Sequence, residues 1–170
     1  MEITKEQRVL IELSKMRYGK LSIEKLEIPK FPSIYLWERV TTLSCRFNKL
    51  VELPKLINVV FLDCSYNNLT TLPELPNVRE LYCYYNQLTE LSKLPKVEIL
   101  NCTHNQLIKI NDLPNIKRLS CYNNQLTELP EMPNIISLAC ENNQIEQLPK
   151  MPNIQYLSCY DNNIKPPWCP

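Results

Sequence analysis

Seven of the chain's eight cysteines stand at one interval: Cys45, Cys64, Cys83, Cys102, Cys121, Cys140 and Cys159, each nineteen residues after the last. Thiols ruled off like this suit four kinds of chemistry: a metal site, a disulfide ladder, a catalytic series, or none at all, as one wall of a core. Zinc sites are built from C-x2-4-C pairs that converge tetrahedrally, which a single evenly spaced row does not offer. Choosing among the rest requires knowing which elements carry the thiols and where they point.

The rest of the sequence keeps the same interval. Leu43, Leu62, Leu81, Leu100, Leu119, Leu138 and Leu157 precede each cysteine by two, and Asn48, Asn67, Asn86, Asn105, Asn124, Asn143 and Asn162 follow by three. Val40, Val59, Val78, Val97, Ile116, Ile135 and Ile154 open the units, and proline-containing runs such as "LTTLPELPNV" and "LTELPEMPNI" close them. The unit reads V-x-x-L-x-C-x-x-N-x-L-x-x-L-P-x-L-P-N. A period near twenty predicts a solenoid in which each unit buries its apolar face against its neighbours.

This pattern, with Cys in the second buried strand position and Asn at the turn, resembles the leucine-rich repeat. It is most similar to the short-repeat bacterial effectors of the YopM and IpaH type, whose units also carry LPxLP, and to leucine-rich repeat proteins of giant viruses. The resemblance covers residues 40 to 164. It implies a right-handed parallel β coil of seven 19-residue repeats with an extended or polyproline-like convex side. It also implies a role as an effector-like or virus-encoded protein acting in a host cytoplasm.

Elementary chemistry agrees. Nineteen residues leave little room for a convex helix, and proline near the end of each unit forbids one by lacking an N–H and restricting its predecessor. Each coil then supplies one short strand, paired in parallel with its neighbours. Alternate strand residues share a face, so the leucine and the cysteine point inward together. The asparagine is expected to turn the chain, its amide bonding backbone groups that the turn leaves unpaired.

Ahead of the repeats, "TKEQRVLIELSKMRYG" reads as a helix. Thr4 and Gln7 have capping-box spacing, Val9, Leu10, Leu13 and Met16 form an apolar stripe, and Gly19 sits where a C-terminal cap belongs. "EIPKFPSI", Glu27 to Ile34, reads as the tail of a degenerate repeat with six extra residues before the rhythm starts at Val40. The expected division is therefore 1–39, an N-terminal helix and capping repeat, and 40–170, the repeat domain with a short C-terminal tail. Solenoid ends need such covers. At the other end only Pro166, Pro167 and Trp168 stand ready to seal the coil, and a weakly sealed end would allow pairing with a second copy.

The thiols now have a reading. Cysteine packs as a small hydrophobe and is among the most buried residue types. Neighbours in register on parallel strands point the same way rather than at each other, which disfavours disulfides. Free buried thiols imply a reducing compartment, hence the cytosol. Cys169 lies off the ladder and is the expected exposed thiol. "CYD", Cys159 to Asp161, has the letters of the Cys-x-Asp motif in the ligase domain of the IpaH type, but here they fall on an ordinary repeat, and a buried thiol lacks a nucleophile's access.

Five residues per unit remain free on or beside each strand. Seven of the nine tyrosines fall on them: Tyr66, Tyr82, Tyr84, Tyr85, Tyr122, Tyr156 and Tyr160. Phe47, Phe61, Ile99 and His104 join them. Aromatic residues suit strands for their own sake, yet this many rings exceed the apolar patch a monomer usually exposes. Tyr84, Tyr122 and Tyr160 share one position in alternate coils, with Ser65, Thr103 and Glu141 between, a comb suited to the side chains of an extended partner. The expected partner-binding set is Arg46, Phe61, Tyr66, Tyr82, Tyr84, Tyr85, His104, Arg118, Tyr122, Tyr156 and Tyr160.

Composition narrows the function classes. The net charge is +1, and Arg46, Arg79, Lys117 and Arg118 on the strand face are balanced by Asp63, Glu80, Glu98, Glu141 and Asp161. That is weak ground for nucleic acid, which draws on uncompensated Lys and Arg, although tyrosine and arginine can stack single-stranded bases. No apolar run reaches membrane-spanning length. One glycine in 170 residues argues against phosphate-cradling loops. His104, the only histidine, has no aligned partner for a triad. The sequence therefore points to a non-catalytic module without metal or cofactor that binds a protein or peptide on a tyrosine-lined concave face. The alternatives are a self-associating, virion-type solenoid, a single-strand binder, or an enzyme fragment.

Overall fold

The computed structural model describes residues 3–33 and 35–165. Pro166, Pro167, Trp168 and Cys169, assigned above to the C-terminal end, lie outside them. Eight three-residue strands form one parallel sheet in sequence order: β1 Lys20–Ser22, β2 Thr42–Ser44, β3 Phe61–Asp63, β4 Glu80–Tyr82, β5 Ile99–Asn101, β6 Arg118–Ser120, β7 Ser137–Ala139 and β8 Tyr156–Ser158. From β2 onward every residue pairs with the one nineteen positions on, so Leu43, Leu62, Leu81, Leu100, Leu119, Leu138 and Leu157 lie in one row. The row of leucines, Leu157 only in part, and the row of cysteines are buried together, as the alternation of strand side chains requires.

From β2 to β8 the return side contains no helix between strands. Each return ends in a tight turn, Val59 N donating to Leu56 O and Val78 N to Leu75 O, and so on to Ile154 N and Met151 O. In "LPNV" the proline falls at the second turn position, where its fixed φ is already correct. The asparagine of the same turn works too. Asn58, Asn77, Asn115, Asn134 and Asn153 each donate to a carbonyl twenty residues back, in the preceding coil. This second asparagine row was not anticipated. Its signal was the repeated "PN".

At the N-terminus α1, Lys5–Lys15, is capped as expected: Thr4 Oγ1 accepts from Gln7 N, and Gln7 Oε1 accepts from Thr4 N. Val9 and Leu13 are buried, and Met16 packs partly against the core, but Leu10 turns outward. Two other expectations are corrected. Gly19 does not end the helix; Met16 does. Gly19 instead enters β1 at φ 70°, where its carbonyl accepts from Thr41 N at 2.8 Å and Thr42 N at 3.1 Å. The first coil also spans 22 residues, Lys20 pairing with Thr42, so it carries three extra residues rather than six. Ile28 stands level with Leu50, since its N–H meets Asn48 Oδ1 as Leu50 N meets Asn67 Oδ1. The surplus folds into a 3-10 turn, Tyr35–Arg39, whose Trp37 packs 4.7 Å from Phe31 and donates from Nε1 to Pro32 O.

A Cβ on Gly19 would lie 2.5 Å from Thr41 Oγ1 and 2.9 Å from Arg39 O. Gly19→Ala is therefore expected to lower stability by about 2 kcal/mol through left-handed strain and this clash. An unchanged urea midpoint would show that the entry to β1 is not held as described.

Candidate functional site: the strand face

Seven asparagines, Asn48 to Asn162, fix the exit from each strand. Asn86 is typical: its Nδ2 donates to Cys64 O at 3.0 Å and Cys83 O at 3.1 Å, while its Oδ1 accepts from Leu69 N at 2.9 Å. One buried carboxamide thus satisfies backbone groups of its own coil and the coil before. The sharp reversal itself belongs to the preceding residue, a correction to the expected turn. Phe47, Tyr66, Tyr85, His104, Asn123, Asn142 and Asp161 all have φ between 51° and 56°. Asn and Asp tolerate this region, whereas aromatic residues there carry strain of roughly 1–2 kcal/mol each.

What the four aromatic residues gain is each other. Equivalent positions on parallel strands are about 4.8 Å apart, close to the spacing of stacked rings. Phe47 stacks on Tyr66 at 4.5 Å, Tyr66 on Tyr85 at 4.7 Å and Tyr85 on His104 at 4.0 Å, all within 15° of parallel. The column is closed at one end by the Arg46 guanidinium, 4.7 Å from the Phe47 ring, and at the other by Asn123, whose Nδ2 lies 3.0 Å from His104 Nε2. Each stacked pair contributes about 0.5–1.5 kcal/mol, enough to offset much of the backbone strain. Tyr84 meets Tyr66 and Tyr85 edge-on, and Tyr122 meets His104 the same way.

The expected binding residues therefore divide into groups. Arg46, Tyr66, Tyr84, Tyr85, His104 and Tyr122 come together in and around the column, and Arg46 also reaches Asp63 at 3.6 Å. Phe61 and Tyr82 form a separate pair at 5.7 Å. Arg118 is exposed. Tyr156 and Tyr160, each 59% exposed, make no ring contact among the described residues. Of the comb's gaps, Ser65 and Thr103 are fully covered and hydrogen-bond within their own coil to Asp63 and Asn101.

Beside the face lies an open groove of about 690 Å³ whose lining includes Arg79, Glu98, Lys117, Asn134 and Asn153. Its polar groups are largely engaged. Glu98 bridges Arg79 and Lys117, the latter at 2.6 Å, and its carboxyl is held below the usual range chiefly by the hydrogen bonds from Lys117 and Arg79. The thiols are unlike any nucleophile. Burial pushes Cys102 and Cys140 up to about 12, and Cys45, Cys64, Cys83 and Cys121 upward as well.

The family profile "Leucine Rich repeats (2 copies)" matches residues 76–115. The chain has the leucine-rich repeat fold. Among solved structures, YopM, a leucine-rich effector protein from Yersinia pestis, superposes with a TM-score of 0.81 at 26% identity, over 92% of this chain and 48% of that one. YopM from Yersinia enterocolitica gives 0.64 at 29% identity, over 84% and 36%. A Shigella effector leucine-rich repeat domain gives 0.84 at 24% identity over 98% and 80%, a likeness of fold alone. The chain spans about half the length of the Yersinia pestis structure, and no curated protein matches it. Leucine-rich repeat folds generally serve as protein-interaction scaffolds. No helix among the described residues is long and apolar enough to cross a membrane.

Proposed function

We propose that this leucine-rich repeat protein is a non-catalytic interaction module that binds a protein or peptide partner on its strand face. The observation that carries the reading is the placement of four aromatic rings on left-handed backbone, at Phe47, Tyr66, Tyr85 and His104. The later coils fill the same position with Asn123, Asn142 and Asp161, which suffice for the turn. A preference for rings where they are strained favours a surface built for contact. The likeness to bacterial effectors supports action inside a host cell, as do the six free, buried cysteines from Cys45 to Cys140. Single-stranded nucleic acid is less well supported. Base stacking needs open ring faces, and those of Tyr66 and Tyr85 are taken by their neighbours.

The test is a Tyr84→Ala/Tyr122→Ala double variant. Both rings touch the column only edge-on, so stability should stay within about 1 kcal/mol of wild type, while a captured partner should be lost. A return-side control, Lys55→Ala/Lys109→Ala, should keep it. A set of captured proteins identical for all three chains would refute the reading, and unfolding of the tyrosine variant would place those rings in the core.

A further inference from the structure

The three positions that alternate with the comb's tyrosines, Ser65, Thr103 and Glu141, are not alike. Ser65 and Thr103 close on the residue two before, Asp63 and Asn101. Glu141 stands between Tyr122 and Tyr160, and the residue two before it is Ala139, which has nothing to offer. The side chain is 8% exposed, and its Oε2 is buried without a hydrogen-bond partner. No basic side chain among the described residues forms an ion pair with it, although Arg46, Arg79 and Lys117 are all paired with carboxylates elsewhere on the face. A carboxyl oxygen withdrawn from water and left unpaired is unfavourable, and Ser65 and Thr103 avoid that situation.

Two tyrosines flank it. Tyr122 and Tyr160 occupy the same position one coil on either side, and the strand register places Ser120, Ala139 and Ser158, all small, in a row beside them. Strands two apart are separated by about 10 Å, so Tyr122 and Tyr160 stand on strands about 5 Å to either side of Glu141. That is within the range at which a cation is drawn to an aromatic face. Asp161 follows Tyr160 and adds a second acidic group without an ion pair among the described residues. Small floor, paired aromatic walls and an unmatched carboxylate together complement a positive charge.

We infer that Tyr122, Glu141 and Tyr160 form a recognition notch for a lysine or arginine side chain of an extended basic peptide. This rests on the interaction reading above and names the class of its partner. The notch takes the cation by charge at Glu141 and by the two ring faces. The neighbouring stacked column offers hydroxyls and ring edges to the rest of the peptide.

The probe is a fluorescent octapeptide of alternating arginine and glycine, compared with the same peptide bearing citrulline, which keeps the shape without the charge. Wild type should bind the arginine peptide at least tenfold more tightly. Glu141→Gln, nearly isosteric, should remove that preference. Tyr160→Phe should retain it and Tyr160→Ala should weaken it, while Glu131→Gln on the return side should change nothing. Equal binding of the two peptides by wild type overturns the notch, as does an arginine preference untouched by Glu141→Gln or shared equally with loss of Glu131. Circular dichroism melts establish that each variant is folded. A natural partner lost with Tyr84/Tyr122 but indifferent to Glu141→Gln would leave the interaction module standing and remove only the notch.

Discussion

Raising the pH from 9 toward 11 should unfold this protein abruptly. Six ladder thiols are held neutral by burial, with Cys102 and Cys140 pushed up to about 12 and Cys45, Cys64, Cys83 and Cys121 shifted in the same direction. In the unfolded chain a thiol ionises near about 8.5. Above that pH the unfolded state releases protons that the folded state retains, so stability falls as pH rises. Each thiol's contribution is whole below about 8.5 and declines by about 1.4 kcal/mol per pH unit until the folded thiol itself ionises. Six acting together give roughly 8 kcal/mol per unit, against a total stability of about 5–15 kcal/mol for a domain. Circular dichroism at 25 °C should show a steep transition within about two units above 9, and replacing Cys64, Cys83 and Cys121 with Ala should roughly halve its steepness. A native signal persisting to pH 12, or a slope equivalent to a single proton, would mean that the thiols are not held in a dry interior.

A second large effect is expected at the capping row. Asn86→Asp should lose about 3–5 kcal/mol at pH 7, more than Asn86→Ala, which should lose about 2–3. Alanine leaves Leu69 N–H and the Cys64 and Cys83 carbonyls short of a partner. Aspartate keeps the acceptor for Leu69 but turns a negative oxygen toward the two carbonyls. Desolvation and that repulsion raise the folded-state pKa of the new carboxyl above its unfolded value. Its penalty is therefore least below about pH 4, where the carboxyl can donate one proton, and grows as pH rises. Urea midpoints at pH 4 and pH 7 measure this, and an aspartate variant as stable as the alanine one at pH 7 would show that Nδ2 is not a needed donor.

Much of the fold could be read from the letters because one interval governs them. A single register of nineteen sets the leucine row, the thiol row and the asparagine row at once, and the sheet follows it residue for residue. The first coil escaped because its letters mislead. Pro29 and Pro32 imitate the closing prolines, and Leu26 stands in the asparagine position, where no earlier coil needs capping. Left-handed backbone at Phe47, Tyr66 and Tyr85 was illegible for a physical reason: local preference argues against it, and only the neighbouring coil, by stacking a ring on each, makes it tolerable. The shared position of Tyr84, Tyr122 and Tyr160 was visible in the spacing. That Ser65 and Thr103 close on themselves while Glu141 does not depends on Asp63, Asn101 and Ala139, two residues before each, and emerged only with the hydrogen bonds.

The carboxamides of the capping row all reach backward. Asn67 serves Leu50 and Cys45, Asn86 serves Leu69 and Cys64, and the habit continues to Asn162, which serves Ile145 and Cys140. In this row each winding is thus completed by the one synthesised after it. A nascent chain leaving the ribosome would tighten its earlier windings as later ones arrive. Seven amides therefore tie each coil to one that left the ribosome before it.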